Sequence, residues 1–209
     1  LNYRKNGFDL SGMLYAGNFR SGNDNIYVID TYLDKHWQHH SDLRDQKFKS
    51  QSLETTWSLN YQFNENHTIG ARYNFERTPK DKAYINQFTQ TYCNEQLYEG
   101  MHSMATTNEP ETYHRSNFYY NGKIKEWSID FNADGFWMNT QSKQVAQEDI
   151  TDGMSDSEDR NVTTKNTNSN ELYASKLIIS HPLGKGDLSF GAEYSHIKRN
   201  TTYLNEEGI

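Results

Sequence analysis

Residues 53–76 read LETTWSLNYQFNENHTIGARYNFE, and the period of this stretch decides the fold. Leu53, Thr55, Trp57, Leu59, Tyr61 and Phe63 fall on one side of an extended chain, and Glu54, Thr56, Ser58, Asn60 and Gln62 on the other. After a polar turn over residues 64–67, Ile69, Ala71, Tyr73 and Phe75 alternate in the same way with Gly70, Arg72, Asn74 and Glu76. Strict period-two alternation on both sides of a short turn predicts a β-hairpin with one apolar and one polar face.

The same unit recurs outward in both directions. Asn6-Gly7, a pair suited to a type I′ turn because both positions accept positive φ, joins residues 1–5 to a strand over residues 8–19. Residues 114–120 pass through Asn121-Gly122 into residues 127–138, and residues 171–180 pass through a connection with Pro182, Gly184 and Gly186 into residues 188–199. The expectation is an all-β, antiparallel up-and-down meander of about eight strands. Every second connection is long and polar, over approximately residues 20–52, 79–112 and 140–170, the first with strand extensions around residues 27–32. Connections in compact soluble domains run to about 4–6 residues, so three long ones at one end of a sheet need a common cause.

Composition narrows that cause. Only 33% of residues are hydrophobic, yet 14% are aromatic, with 15 Tyr and 10 Phe. Disordered chains lack aromatics, and aliphatic cores are built from more Leu, Val and Ile. The net charge of −7, without a Lys/Arg cluster, argues against nucleic acid as a partner. The single Cys93 excludes an intrachain disulfide or a multi-cysteine zinc site, and no apolar run reaches the length of a membrane helix. Strands remain able to cross a bilayer. Trp127 and Trp137 are ten residues apart on one face, which at about 3.3 Å per residue and a tilt near 40° is roughly 25 Å along the membrane normal. Ile129, Phe131, Ala133 and Gly135 between them carry no charge. An outer-membrane β-barrel has this build, with short turns on one side and long connections on the other. A soluble β-barrel or sandwich binding a small ligand is the alternative, and it leaves the asymmetry of the connections unexplained.

Three segments carry a family resemblance: residues 1–10 (LNYRKNGFDL), residues 59–70 (LNYQFNENHTIG) and residues 118–123 (FYYNGK). They resemble the barrel repeats of TonB-dependent outer-membrane receptors. The resemblance covers the hairpins and not the long connections, and it encodes strand-turn-strand geometry without chemistry. It implies a 22-stranded barrel in the outer membrane, plugged by an N-terminal domain, that takes up a nutrient with energy relayed by TonB. The first segment has five residues before its turn and the chain stops at Ile209 within a fourth long connection, so residues 1–209 are expected to be one part of a larger barrel domain. A structural or adhesin-like barrel is a further alternative. The partners expected are the lipid bilayer and, through the rest of a parent protein, TonB and a surface lipoprotein.

In that frame Trp57, Tyr61, Phe63, Tyr73, Phe75, Trp127 and Trp137 are expected in an aromatic girdle, and Arg72, Asn74, Glu76, Asp130, Asn132, Asp134 and Glu193 on the lumenal face, where charge is tolerated. His36, His39 and His40 are the one dense group of metal-type ligands. In a strand His36 and His40 share a face and His39 opposes them, whereas in a loop all three converge. The acidic residues Glu148, Asp149, Asp152, Asp156, Glu158 and Asp159 could hold calcium, but they lack EF-hand spacing and read as a solvated segment. No nucleophile elbow, phosphate-binding loop or paired-histidine helix motif is present, so neither enzyme activity nor a cofactor is expected. The sequons at Asn66, Asn161 and Asn200 are those expected by chance in an Asn/Thr-rich chain.

Overall fold

The structure is a computed structural model that describes residues 1–32, 35–152 and 157–207. Alternating side chains and turn residues give nine strands: β1 (Asn2–Lys5), β2 (Phe8–Tyr32), β3 (His36–Asn64), β4 (His67–Cys93), β5 (Gln96–Asn108), β6 (Glu111–Ile124), β7 (Trp127–Asp152), β8 (Ser157–Leu183) and β9 (Gly186–Asn205). All are antiparallel neighbours in one sheet, β5 and β6 both lying between β4 and β7. The pair behaves as a single stave interrupted at Glu109-Pro110, so nine strands make eight staves. Pro110 has no N–H to give to the ladder and marks the break. Pro79 faces the same level from β4, where the β3–β4 register shifts between Gln51 and Leu53.

The chief difference from expectation lies in the long connections. Residues 20–52, 79–112 and 140–170 are mostly paired strand rather than loop. Apolar and polar residues are mixed on both faces of these segments, so the alternation that betrays a strand is missing, while the backbone ladder needs only N–H and C=O partners. Asn94-Glu95, both at positive φ, close the β4–β5 arm in a two-residue turn. β7 alone has 26 residues, about 85 Å of strand where roughly 9–11 residues suffice to cross a membrane.

Turn positions also sharpen. Asn6 and Gly7 have φ of 49° and 78°, as a type I′ turn requires. Asn121-Gly122 is not a turn. Its residues pair with Thr68 and His67 on one side and Asp130 and Ile129 on the other, and the chain reverses at Lys125-Glu126 instead. Asn-Gly permits a turn without imposing one, and here the Tyr120 ring occupies the space that a side chain at position 122 would need.

The sheet has no dry interior. Among the described residues Ala146 is the only buried hydrophobic one, and no large side chain is fully covered. The accessible area is 14724 Å² for 24.5 kDa, against roughly 10,000 Å² for a compact folded monomer of that mass. Among the described residues β1 and β9 each pair on one side only.

Candidate functional site

Register assigns the faces, because directly paired residues in an antiparallel sheet point the same way. The row through Tyr61 runs Lys5, Phe8, Tyr61, Ile69, Tyr120, Phe131, Leu177, Ala192, its one charge standing on the edge strand β1, and the row through Trp57 runs Gly12, Trp57, Tyr73, Ser116, Gly135, Tyr173, His196. Phe63, Phe75, Trp127 and Trp137 belong to this same face by parity. On β7 the face is free of charge from Trp127 to Trp137, and the Glu171–Lys198 pair stands at its upper boundary beside Trp137. The aromatics are not confined to two belts. Tyr61 lies one row inside Phe63, and Trp57 with Tyr73 one row inside Trp137. Glycines let the rings lie flat: a Cβ on Gly12 would come within 2.6 Å of the Trp57 ring, and one on Gly135 within 2.6 Å of Trp137. The Trp137 indole donates to Tyr173 Oη at 2.8 Å.

The opposite face carries Arg72, Asn74, Glu76, Asp130, Asn132, Asp134 and Glu193. Asn74, Glu76, Asn132 and Asp134 are hydrogen-bonded to neighbouring side chains. Asn117 Nδ2 donates to Asn132 at 2.6 Å and to Asp134 at 2.8 Å. Asn74 donates to Thr56 at 2.7 Å. Tyr119 donates to Asn60 at 2.6 Å, its ring lying over Gly70. Glu193 is paired in register with Lys176, next to Asn132. Glu76 faces Glu54 directly on one side and Tyr113, which hydrogen-bonds it, on the other. Asp130 lies apart, between Asn121 and Ile178.

The three histidines sit in β3, so they do not converge. His36 contacts Asp30 at 3.0 Å and stacks on Tyr32, His39 pairs with Thr91 at 3.1 Å on the other face, and His40 meets the Tyr92 ring edge-on. Among the described residues no group of three or more metal-type ligands assembles. The acidic segment is split likewise: Glu148 is bridged by Arg160 at 2.6 Å, Asp149 faces Asp159, and Asp156 lies outside the described residues.

One cluster was not legible in the sequence. Asp42, Phe88, His102 and Asp149 form a single row across β3, β4, β5 and β7. His102 stacks on Phe88 at 4.2 Å and bonds Asn86 at 2.7 Å, the Arg44 guanidinium stands 5.1 Å over the same ring, and Asp42 holds Arg44 at 2.7 Å. His40 borders the hollow beside this row, and its Nε2 is buried without a hydrogen-bond partner among the described residues. The Phe88 ring is thus already engaged by the guanidinium and the imidazole, with the Asp42 and Asp149 carboxylates standing beside them. The cluster's members lie on four strands, and only the register brings them together.

No family model and no curated protein matches the chain. Among solved structures it is similar to the siderophore receptor PiuA from Acinetobacter baumannii at 8% identity and a TM-score of 0.17, over 98% of this chain and 47% of that one. The chain thus spans about half the length of that receptor, and a likeness of this size carries no argument about function.

Proposed function

We propose that the chain is part of the wall of an outer-membrane β-barrel receptor that takes up a nutrient through TonB. The observation that carries the membrane reading is the aromatic face from Trp127 to Trp137, free of Lys, Arg, Asp and Glu on β6 and β7, bounded on β8 and β9 by the Glu171–Lys198 pair and backed by a polar face. The first face suits lipid and the second a lumen or plug. The arms of β2 to β8 extend from one end of this band and carry the ring-and-cation cluster at Phe88, so they are the parts that meet a solute or a surface lipoprotein. The TonB-coupled step rests on the resemblance of the hairpin sequences alone. No catalytic step and no cofactor is assigned. A soluble sandwich fits less well because it needs a dry core between two sheets, whereas stiff arms would also serve an adhesin.

Tryptophan depth tests the wall. Three of the four tryptophans, Trp57, Trp127 and Trp137, lie in the apolar band, and Trp37 lies near the tip of the first arm. In bilayers of brominated phosphatidylcholine, variants retaining one tryptophan each should be quenched at 57, 127 and 137 and spared at 37. Equal quenching at all four, or none, would overturn the reading. For uptake, cells relying on the full-length protein for a limiting nutrient should lose growth when TonB is removed, and unchanged growth would leave the adhesin reading ahead.

A further inference from the structure

The apolar face changes character abruptly as it leaves the proposed membrane band. One row of paired residues there reads Arg20, Lys49, Lys82, Asn108, Lys143, Lys165 across β2, β3, β4, β5, β7 and β8. Lys143 is six residues beyond Trp137 with no register shift between them, so the row shares the face of the girdle. Arg77 and Lys80 fall on the same face between the band and the row, the bulge at Thr78-Pro79 keeping both on that side. Arg20, Lys49, Lys143 and Lys165 are exposed.

Three features make this arrangement unlike an ordinary solvated surface. Arg20 faces Lys49, Lys49 faces Lys82, and Lys143 faces Lys165 directly, although like charges in opposed positions destabilise a sheet. Glu206 pairs with Lys165 and interacts more weakly with the charge of Lys143, and Lys49 stands 5.4 Å over the Tyr84 ring, but among the described residues Arg20, Lys49, Lys82 and Lys143 enter no ion pair. Finally, the row occurs in a chain with 28 acidic and 21 basic residues, so the bias is local. On the opposite face the flanking residues toward the arm tips, Ser21, Phe48, Ala83, Thr107, Gln144 and Thr164, are uncharged, and on the band side only Asp81 and Glu109 carry charge. A row of cations that repel one another is relieved by a polyanion laid along it.

Resting on the barrel-wall reading, we propose that this row binds the phosphorylated sugar headgroup of a glycolipid in the outer leaflet. Continuity with the lipid-facing band puts the row beside headgroups. Its height argues for phosphates raised on sugars: Lys143, six residues past Trp137, and Lys49, six past Thr55 in the Trp137 row, stand roughly 15 Å beyond the band, above a phospholipid headgroup layer about 6 Å deep. Lysine stems can lean back toward that layer while keeping their charges in water.

The full-length protein in neutral detergent is offered a bisphosphorylated diglucosamine lipid and the same lipid without phosphates, and retention is read by native mass spectrometry. Selective retention of the phosphorylated lipid is expected. The triple variant K49Q/K82Q/K143Q should weaken it about a hundredfold, from roughly fivefold per lysine near an anionic surface. The charge-matched variant K5Q/K123Q/K185Q, altered at the short-turn end, should retain it. On the unmodified chain, about 0.5 M salt should also reduce retention, since the sites are exposed, and inorganic phosphate should compete no better than chloride of equal ionic strength. Equal retention of both lipids, or an unaffected triple variant, overturns the glycolipid site alone. Failure of tryptophan quenching in brominated bilayers overturns the wall and this site together.

Discussion

Tyr119 shows how tightly single residues are fixed on the polar face. Its ring fills the place of a side chain at Gly70, and its hydroxyl reaches Asn60 across β4. Gly70→Val should displace the ring, break that hydrogen bond and cost about 1–3 kcal/mol by overpacking. Tyr119→Phe, which removes only the hydroxyl, should cost about 1 kcal/mol. Thermal unfolding of both variants in detergent measures the difference. At the arm tip, the hydrogen bonds from His36 and then Gln38 hold the Asp30 carboxyl below its ordinary value of 3.8. The folded state therefore binds this proton less readily than the unfolded chain, so the contact favours the ordered tip above about pH 4 and fades as pH falls through the lowered value. Amide protection across residues 27–32 and 36–40, with the intrinsic pH dependence divided out, should fall on acidification below pH 4. In Asp30→Asn it should be lower at neutral pH and change little on acidification.

The strands divide into a band and an arm at the level of Pro79 and Pro110, and the two parts were unequally legible. Alternation identified residues 53–75 and 127–138 because one face is apolar and the other polar. It failed for β5, whose QLYEGMHSMATTN mixes both on each face. The row of Asp42, Phe88, His102 and Asp149 was hidden for the same reason, since its members converge only once the register of unpatterned segments is known. The division also makes the first arm separable. Ser21 faces Phe48, so replacing residues 22–47 by Asn-Gly should close a hairpin at that pair. The shortened chain should keep its β-sheet circular dichroism and its folding in micelles while losing the cluster around Phe88. Loss of folding on truncation would mean that the arm nucleates the band.

For the whole molecule, the deciding quantity is surface. With Ala146 its one buried hydrophobic residue among those described, the sheet lacks the apolar burial that offsets chain entropy in water. A cooperative melt should therefore appear in detergent micelles and be missing in plain buffer. Circular dichroism under both conditions checks this, and a sharp transition without detergent would contradict a wall that depends on lipid for its apolar face.

The break at Glu109-Pro110 gives the sheet a tolerance that an unbroken strand would lack. β5 is sewn to β4 and β7 on its two sides, and so is β6. Cutting the peptide between them would leave two polypeptides stitched to the same neighbours by separate ladders. A protease nick there, or a short tag threaded into it, is thus absorbed without unravelling either half, and the position serves as a ready seam for splitting or labelling the chain.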